Sequence, residues 1–129
     1  MSNKQKVKFK DLIKGDKPVL VDFYATWCGP CKQLSPIVNS VKKELQGKMQ
    51  VIKVDVDKKK SVSNKYQIKS LPTLAIFKNG NIIWRESGMK TRAQLLNIAN
   101  QYIKTSADTK SGKATEVKKK ESWFKRLFG

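Results

Sequence analysis

The stretch Val19-Leu20-Val21-Asp22-Phe23-Tyr24-Ala25-Thr26-Trp27-Cys28-Gly29-Pro30-Cys31-Lys32 decides the fold of this 129-residue chain. Its first six residues are largely apolar, which is typical of a central parallel strand buried on both faces. Apolar residues then recur at helical spacing at Leu34, Ile37, Val38, Val41 and Leu45. The only two cysteines of the chain lie between these two patterns, three positions apart. A Cys-X-X-Cys pair at such a strand–helix junction predicts a redox-active dithiol, which closes to a disulfide and reopens.

The rest of the chain continues the alternation of helices and strands. The expected elements are, in order, a short helix or extended lead-in at 9–14, the long helix ending near 45, a strand at 50–55, a short helix from 57 or 58 to 66, and strands at 74–78 and 81–85. Asn79-Gly80 favours a two-residue hairpin turn, and Thr91-Arg92-Ala93-Gln94 is a capping box that opens a last helix. Pro36 is expected to kink the long helix. This order predicts an α/β fold, a central mixed sheet flanked by helices on both faces.

The charge of the chain is strongly positive, with 28 Lys and Arg against 10 Asp and Glu. The excess is spread out, because residues 1–104 carry 21 basic and 7 acidic side chains and residues 105–129 carry 7 and 3. Such a charge attracts polyanions, acidic proteins or anionic lipid. The simpler alternative is that it only keeps the protein soluble. Nucleic-acid binding is not expected, since no basic cluster of the core is interleaved with exposed aromatic residues. The absence of histidine excludes histidine-based triads and histidine-ligated metal sites.

The location of the protein is predicted from what the sequence lacks. We expect no cleaved signal peptide, because the first residues are polar and basic with no apolar region behind them. No apolar run approaches the roughly 18 residues that span a bilayer. With two cysteines a structural disulfide framework is not expected, which fits a reducing compartment where a disulfide would be catalytic. We therefore expect a cytoplasmic protein, and we also expect a monomer.

The two cysteines are expected to play different parts. Cysteine attacks as the thiolate, and the start of a helix stabilises an anion through its free N–H groups and positive dipole end. Cys28, at the start of the helix, is predicted to be the exposed nucleophile. Cys31, one turn inside, is predicted to be the buried resolving thiol, which attacks the mixed disulfide and releases reduced substrate.

Asp22 stands out because it interrupts an apolar strand. An unpaired buried carboxylate is costly, and burial raises its pKa. Such an acid near Cys31 would take the proton of the resolving thiol and later return it. Lys53 in the neighbouring strand is the expected charge partner. The alternative is that Asp22 lies at a wetted strand edge and has no catalytic part.

Several segments together resemble the thioredoxin family. They are Trp27-Cys28-Gly29-Pro30-Cys31-Lys32 after residues 21–26, then Ser70-Leu71-Pro72-Thr73, and then Phe77-Lys78-Asn79-Gly80. The match covers roughly residues 7–104, and its motifs are specific and in the right order. The resemblance implies the thioredoxin fold and a thiol-disulfide oxidoreductase that reduces protein disulfides. The chain departs from the family pattern at both ends, because the first edge strand is expected to be short or missing and the residues after 104 lie outside the pattern. Within the domain, Tyr24 stands where many members have a second tryptophan.

The resemblance also implies roles for individual residues. Pro72 matches the family's cis-proline, which faces the dithiol and keeps metal ions off it, and the backbone of Leu71 would pair with an extended substrate segment. Asp22 and Lys53 match the buried acid and its lysine partner. The expected substrate surface comprises Trp27, Gly29, Pro30, Leu71, Pro72, Gly88 and Met89.

The partners follow from the same resemblance. Electrons are expected from an NADPH-dependent flavoprotein, thioredoxin reductase, so the chain itself needs no cofactor. Expected clients are disulfide-bearing proteins among reductive enzymes and among peroxide- or methionine-repair systems. Relatives that act as oxidases or isomerases usually carry a histidine between the cysteines, whereas Gly29-Pro30 favours a reductant.

The chain is expected to divide into the domain at 1–104, a flexible polar linker at 105–120 and a short basic amphipathic segment at 121–129. The last segment places Trp123, Phe124, Leu127 and Phe128 on one helical face, with Lys118-Lys119-Lys120 before it. It predicts either reversible contact with an anionic membrane or docking on a partner protein. A disordered tail, or one folded back on the domain, is the simpler alternative.

Two other functions remain open for the cysteines and the fold. A zinc site needs four nitrogen or sulfur ligands, so it would require two chains; no metal site is expected in a monomer. A basic accessory subunit would use the fold as a docking module without redox chemistry. Disulfide reduction that survives Cys28→Ser would favour this last interpretation.

Overall fold

The computed structural model describes residues 8–111, and for residues 105–111 it describes the backbone alone. Its elements are α1 (Phe9–Ile13), β1 (Val19–Tyr24), α2 (Gly29–Glu44), β2 (Gln50–Asp55), α3 (Lys60–Lys65), β3 (Thr73–Lys78), β4 (Asn81–Ser87) and α4 (Arg92–Ser111). The predicted order of elements is confirmed, and the lead-in at 9–14 is helical. No helix in this part of the chain is both long and apolar enough to cross a bilayer.

The four strands form one mixed sheet in the order β2-β1-β3-β4. β1 pairs with β2 in parallel and with β3 antiparallel, and β3 pairs with β4 antiparallel. Asn79 and Gly80 join β3 to β4 with φ angles of 54° and 81°. Positive φ at both central residues is the geometry that Asn-Gly favours in tight hairpins, so the predicted turn is confirmed. Residues 1–7, where a first edge strand is predicted to be short or missing, lie outside the described residues.

Helices cover both faces of the sheet, as the apolar run of β1 requires. On one face α2 and α4 pack on the sheet, with buried side chains at Leu20, Leu34, Val38, Val41, Leu74, Ile76, Leu95 and Ala99. On the other face α1 and α3 pack on Val21, Phe23, Val54, Ala75 and Phe77. Fully burying a Val, Leu, Ile or Phe side chain stabilises the fold by about 1.5–3 kcal/mol. Because strand side chains alternate, Asp22 lies on the face that α2 covers, two residues beyond Leu20.

Two helix boundaries differ from the sequence-based prediction. α3 begins at Lys60, later than expected, because Asp55 ends β2 in a turn: the Asp57 N–H donates to Asp55 Oδ1 at 2.9 Å, and the Lys59 N–H donates to the Asp55 carbonyl at 2.9 Å. At the other end α4 continues past the predicted domain boundary at 104 to Ser111. The start of the predicted linker is therefore helical, and residues 112–129, with the amphipathic segment, lie outside the described part.

The predicted capping box at the start of α4 is present. The Gln94 N–H donates to Thr91 Oγ1 at 3.1 Å, and the Thr91 N–H donates to Gln94 Oε1 at 2.9 Å. Each side chain thus satisfies a backbone N–H that the helix leaves without an internal partner.

Replacing Thr91 by Ala should lower the free energy of unfolding by about 1 kcal/mol, because it removes the acceptor for the Gln94 N–H. Urea unfolding of both proteins measures the difference. Thr91→Ser is the matched control, since it keeps the hydroxyl. A loss of equal size in Thr91→Ser would mean that the methyl group, and not the cap, carries the effect.

Candidate active site

The two cysteines lie at the start of α2, directly beyond the carboxyl end of β1. They form a disulfide with a Cα–Cα separation of 5.2 Å. Cys28 is the N-cap residue, with extended backbone angles, and the Cys31 N–H donates to Cys28 Sγ at 3.1 Å. Pro30 occupies the first turn, where no intrahelical N–H is needed. One helix start therefore holds the sulfur of Cys28 against a backbone donor.

The exposure of the two cysteines corrects one prediction. Cys28 was expected to be exposed and Cys31 buried, but their exposed fractions are 5% and 4% in the disulfide form. The neighbouring loops cover the sulfur of Cys28 as well as that of Cys31. What distinguishes them is position, because Cys28 lines a surface cavity and Cys31 is not among the residues that line it.

That cavity has a volume of about 420 Å³ and is formed by three segments. The β1–α2 connection contributes Trp27, Cys28, Gly29 and Pro30, the residue after β2 contributes Val56, and the loop before β3 contributes Ile68, Lys69 and Leu71. Sequence reasoning did not identify Val56, Ile68 and Lys69. A usable signal existed for Val56, because β1 and β2 are parallel and the residues after their carboxyl ends meet at one edge of the sheet. The cavity is mostly apolar, with Lys69 as its one charged residue.

The loop before β3 contains a cis peptide bond between Leu71 and Pro72, which confirms the expected isomer. Pro72 is buried, and its carbonyl accepts a hydrogen bond from the Gly88 N–H at 2.9 Å. Gly88 has a φ of 100°, which suits glycine. Met89 next to it is 43% exposed. Of the predicted substrate residues, Trp27, Gly29, Pro30 and Leu71 line the cavity, whereas Pro72, Gly88 and Met89 do not.

Two sets of hydrogen bonds hold this loop, and neither was predicted. Thr73 Oγ1 donates to the Ser70 carbonyl at 2.7 Å and lies 2.9 Å from Ser87 Oγ, to which Ser70 Oγ also bonds at 3.0 Å. The Arg85 guanidinium donates to the carbonyls of Tyr66 and Gln67, both at 2.6 Å. These bonds tie the loop to β4 on both sides of the residues that line the cavity.

Trp27 has a fixed orientation at the rim of the cavity. Its indole is 69% exposed, yet Nε1 donates to Asp57 Oδ2 at 2.8 Å. The Asp57 N–H donates to Asp55 Oδ1, so the turn after β2 holds Asp57 in place. An exposed aromatic surface that is held in one place next to a reactive sulfur is well suited to receive part of another protein.

Asp22 is buried on the sheet face that α2 covers, with an exposed fraction of 1%. Its Oδ1 has no hydrogen-bond partner among the described residues. Removal from water raises the pKa of Asp22 to about 6, against a smaller lowering effect of the Lys53 charge. The alternative of a wetted strand edge is therefore wrong. Cys31 is the first buried residue of α2, the helix that covers the same sheet face.

Lys53 is the direct neighbour of Asp22 in the parallel ladder, as its predicted role requires. Its ammonium group, however, donates to Ser35 Oγ and to Asn39 Oδ1, the latter at 3.3 Å, both on α2. Ion pairs within residues 8–104 join Lys14 to Asp11, Lys90 to Glu86 and Arg92 to Glu44, and Asp22 takes part in none. Lys53 therefore acts on Asp22 as a nearby charge and not as a bonded partner.

Candidate metal ligands do not cluster in the part of the chain that the structure describes. No three Cys, Asp or Glu side chains of the described residues lie close enough together to hold an ion.

Comparison with known proteins gives one consistent family. A family model described as Thioredoxin matches residues 1–101. A thioredoxin-like protein of Synechocystis sp. is 48% identical over 101 residues, covering 78% of this chain and 96% of the relative. The thioredoxin of Rickettsia conorii is 44% identical over 94 residues, covering 73% and 90%. A solved thioredoxin structure from Malassezia sympodialis aligns with a TM-score of 0.69 and 35% identity, covering 74% of this chain and 83% of that one.

Proposed function

This chain belongs to the thioredoxin family and is a protein-disulfide oxidoreductase, and we propose that it works as a reductant in the cytoplasm. In this proposal an NADPH-dependent flavoprotein, thioredoxin reductase, supplies the electrons. Disulfide-bearing client proteins receive them. The observation that carries the proposal is the cavity that Cys28 of the redox pair lines together with the apolar residues Trp27 and Leu71.

Cys28 is the nucleophile of the proposed cycle. In the reduced protein its thiolate would lie at the start of α2, next to the Cys31 N–H that contacts the sulfur in the disulfide form. A backbone donor and the positive end of a helix dipole both favour the anion. Because Cys28 lines the cavity and Cys31 does not, an incoming disulfide reaches Cys28 first.

The electrons and atoms of the exchange balance in two steps. The Cys28 thiolate attacks one sulfur of the client disulfide, forming a Cys28–client bond and releasing the second client sulfur as a thiolate that takes a proton from water. The Cys31 thiolate then attacks Cys28 Sγ, forming the Cys28–Cys31 disulfide and releasing the first client sulfur as a thiolate, which also takes a proton from water. The client gains two electrons and two protons, and the protein is left oxidised, the state that the structure shows.

Asp22 is proposed to serve the second step as a base. Cys31 must lose its proton to attack, and it lies in α2 over the sheet face that carries Asp22. A carboxyl with a pKa of about 6 is ionised at neutral pH and remains basic enough to accept that proton. The proton returns when the disulfide is reduced again.

Client binding is proposed to use the rim of the cavity. Leu71 precedes β3, so its backbone N–H and carbonyl belong to no ladder of the sheet and are available to an extended client segment. Trp27, Gly29 and Pro30 supply an apolar surface on the other side of Cys28. Pro72, Gly88 and Met89 are proposed to extend this surface beyond the cavity.

The test is NADPH-dependent reduction of insulin with a purified bacterial thioredoxin reductase as electron source. We expect NADPH consumption that needs both proteins and insulin, followed by precipitation of the reduced insulin chains. In the control, dithiothreitol replaces the reductase, so that the activity of this protein is measured independently of its recognition by the reductase. Activity with dithiothreitol but none with the reductase would contradict the proposed electron source, and inactivity with both would contradict a reductant.

The tail is proposed to make reversible contact with an anionic membrane surface. Residues 121–129 lie outside the described part, and the proposal rests on their sequence. The spacing of Trp123, Phe124, Leu127 and Phe128 would place them on one face of a helix. Each nearby basic residue contributes about 1 kcal/mol at an anionic surface. An anchor of this size gives reversible association and not insertion.

We expect the full chain to float with vesicles that contain anionic lipid, and a chain ending at Ser111 to remain in the soluble fraction. This truncation keeps the whole of α4. Zwitterionic vesicles are the control for the electrostatic part. Equal flotation of both chains would contradict the membrane contact, and capture of a specific protein by the tail without vesicle binding would favour the docking alternative.

A further inference from the structure

The side chain of Lys53 is held on α2 by two residues that the reaction itself does not use. Lys53 is exposed, and a free lysine at such a position would extend into water, because its ammonium group is strongly hydrated and its stem is flexible. Instead, the ammonium donates to Ser35 Oγ and Asn39 Oδ1, and it lies 5.9 Å from the centre of the Tyr24 ring. Ser35 and Asn39 are four residues apart on one helix, so they form neighbouring positions on one face.

We propose that Ser35 and Asn39 are positioning residues, which fix the Lys53 ammonium beside the buried Asp22 carboxyl. This inference rests on the proposed function in one respect, namely that Asp22 exchanges the proton of Cys31. The geometry behind it is independent of that function. Lys53 and Asp22 are paired across two parallel strands and share a sheet face, and α2 lies over that face.

The surroundings of Asp22 show why the place of one ammonium matters. On β2, Lys53 is in register with Asp22, and Asp55 is two residues further along the same face. On β3 the opposite residue is Leu74, and beyond it Glu86 of β4 is bound to Lys90. From α2 the ionisable group is Cys31. Of these groups, Lys53 is the one whose charge stabilises the Asp22 carboxylate.

Releasing Lys53 should therefore weaken that stabilisation. Pairing directly with Asp22 would require the ammonium to leave water for a buried site, and the loss of hydration opposes this, so the released side chain moves outward. The Asp22 carboxylate then loses much of the electrostatic stabilisation that the Lys53 charge provides. The expected direction is a higher pKa of Asp22, the same direction as removal of the lysine itself.

The experiment is a carbon NMR titration of the Asp22 carboxyl in the oxidised full-length protein. The variants are Ser35→Ala with Asn39→Leu, Lys53→Met, and the combination of all three, with Gln33→Leu as the matched control on the exposed side of α2. We expect a midpoint near 6 in the unmodified chain and in Gln33→Leu. The midpoint should be higher in the double variant and at least as high in Lys53→Met. The triple variant should match Lys53→Met, because the two helix residues act through the lysine.

The rate of the resolving step gives a second reading. If the midpoint rises from about 6 to about 7, the ionised fraction of Asp22 at pH 7 falls from roughly nine tenths to roughly one half, so the step slows about twofold. The pH profile of the resolving step should shift to higher pH by the same amount as the Asp22 midpoint. Ser35→Thr keeps a hydroxyl, so its Asp22 midpoint and its resolving rate should stay close to those of the unmodified chain.

Two results would overturn the inference. One is an unchanged Asp22 midpoint in the Ser35→Ala, Asn39→Leu variant, with unfolding curves showing that it is folded. The other is a further rise of the midpoint when the two substitutions are added to Lys53→Met. A titration that behaves as expected, with no change in the resolving step, would leave the positioning intact and instead contradict Asp22 as the base for Cys31.

Discussion

Cys28→Ser should lose the reduction of insulin disulfides completely, to the rate of dithiothreitol alone. A serine hydroxyl forms no bond with a client sulfur, so the first exchange has no nucleophile. The fold should be unaffected, because the hydroxyl can accept the Cys31 N–H at the start of α2 as the sulfur does. The loss would therefore be a loss of chemistry, measurable as insulin turbidity at equal concentrations of folded protein.

Cys31→Ser is the matched control for this prediction. It should also fail to turn over repeatedly, since nothing resolves the mixed disulfide, but its first exchange should persist. Reduction that continues in Cys28→Ser would contradict the redox account and favour the alternative of a docking module without catalysis.

Asp22→Asn should stabilise the protein at pH 8 by up to about 3 kcal/mol. Burial raises the pKa of the carboxyl to about 6 in the folded chain from the ordinary aspartate value of 3.8, which applies to an unfolded chain, and each pKa unit of difference corresponds to about 1.4 kcal/mol. The folded state therefore holds its proton more tightly than the unfolded state. Stability should fall as the pH rises from about 4 to about 6, and it should stay at the lower level above that range.

An asparagine side chain resembles the protonated acid and does not ionise, so it escapes this loss. At pH 4 the two proteins should have nearly equal free energies of unfolding, and the gap should open between pH 4 and pH 6. Urea unfolding at pH 4, 6 and 8 measures it. Asp16→Asn, on an exposed residue, is the control and should change stability little at any of these values.

The outcome that would contradict this account is a wild-type protein as stable as Asp22→Asn at pH 8. It would mean that Asp22 is compensated in the folded state and holds no raised pKa. The stabilised variant should at the same time resolve mixed disulfides more slowly, because it has lost the proton acceptor. A gain in stability joined to a loss of rate is what a functional buried charge predicts.

The elements of the fold were predictable where burial leaves a simple pattern. The strand at 19–24 was expected with its observed bounds, because both of its faces are buried and the whole segment is apolar apart from Asp22. Asn79-Gly80 and the capping box depend on local backbone geometry, so residue type alone identifies them. The start of α3 was predicted too early because the Asp55 side chain captures the Asp57 N–H, and a carboxylate in that position is compatible with either a helix or a turn.

The site was predictable only in part. The dithiol is visible in the sequence because the only two cysteines lie three positions apart, and the buried acid is visible because Asp22 interrupts an apolar strand. Val56, Ile68 and Lys69 reach the cavity through the packing of three separate segments. Val56 could have been found from its place directly after the parallel strand β2, whereas no pattern marks Ile68 and Lys69. The same holds for Lys53: its register next to Asp22 follows from the strands, whereas its bonds to Ser35 and Asn39 depend on the rotation of α2 over the sheet. The position of Cys28 at the start of the helix predicts that it is exposed, yet it is buried in the disulfide form.

The central claim is that Cys28 attacks the client and Cys31 resolves the product. The most direct measurement is mass spectrometry of acid-quenched mixtures of insulin with reduced Cys31→Ser or reduced Cys28→Ser protein. The account predicts an insulin-chain adduct on Cys28 of the Cys31→Ser protein, removed by dithiothreitol, and no comparable adduct on the Cys28→Ser protein. An adduct formed through Cys31 in similar or greater yield would contradict it.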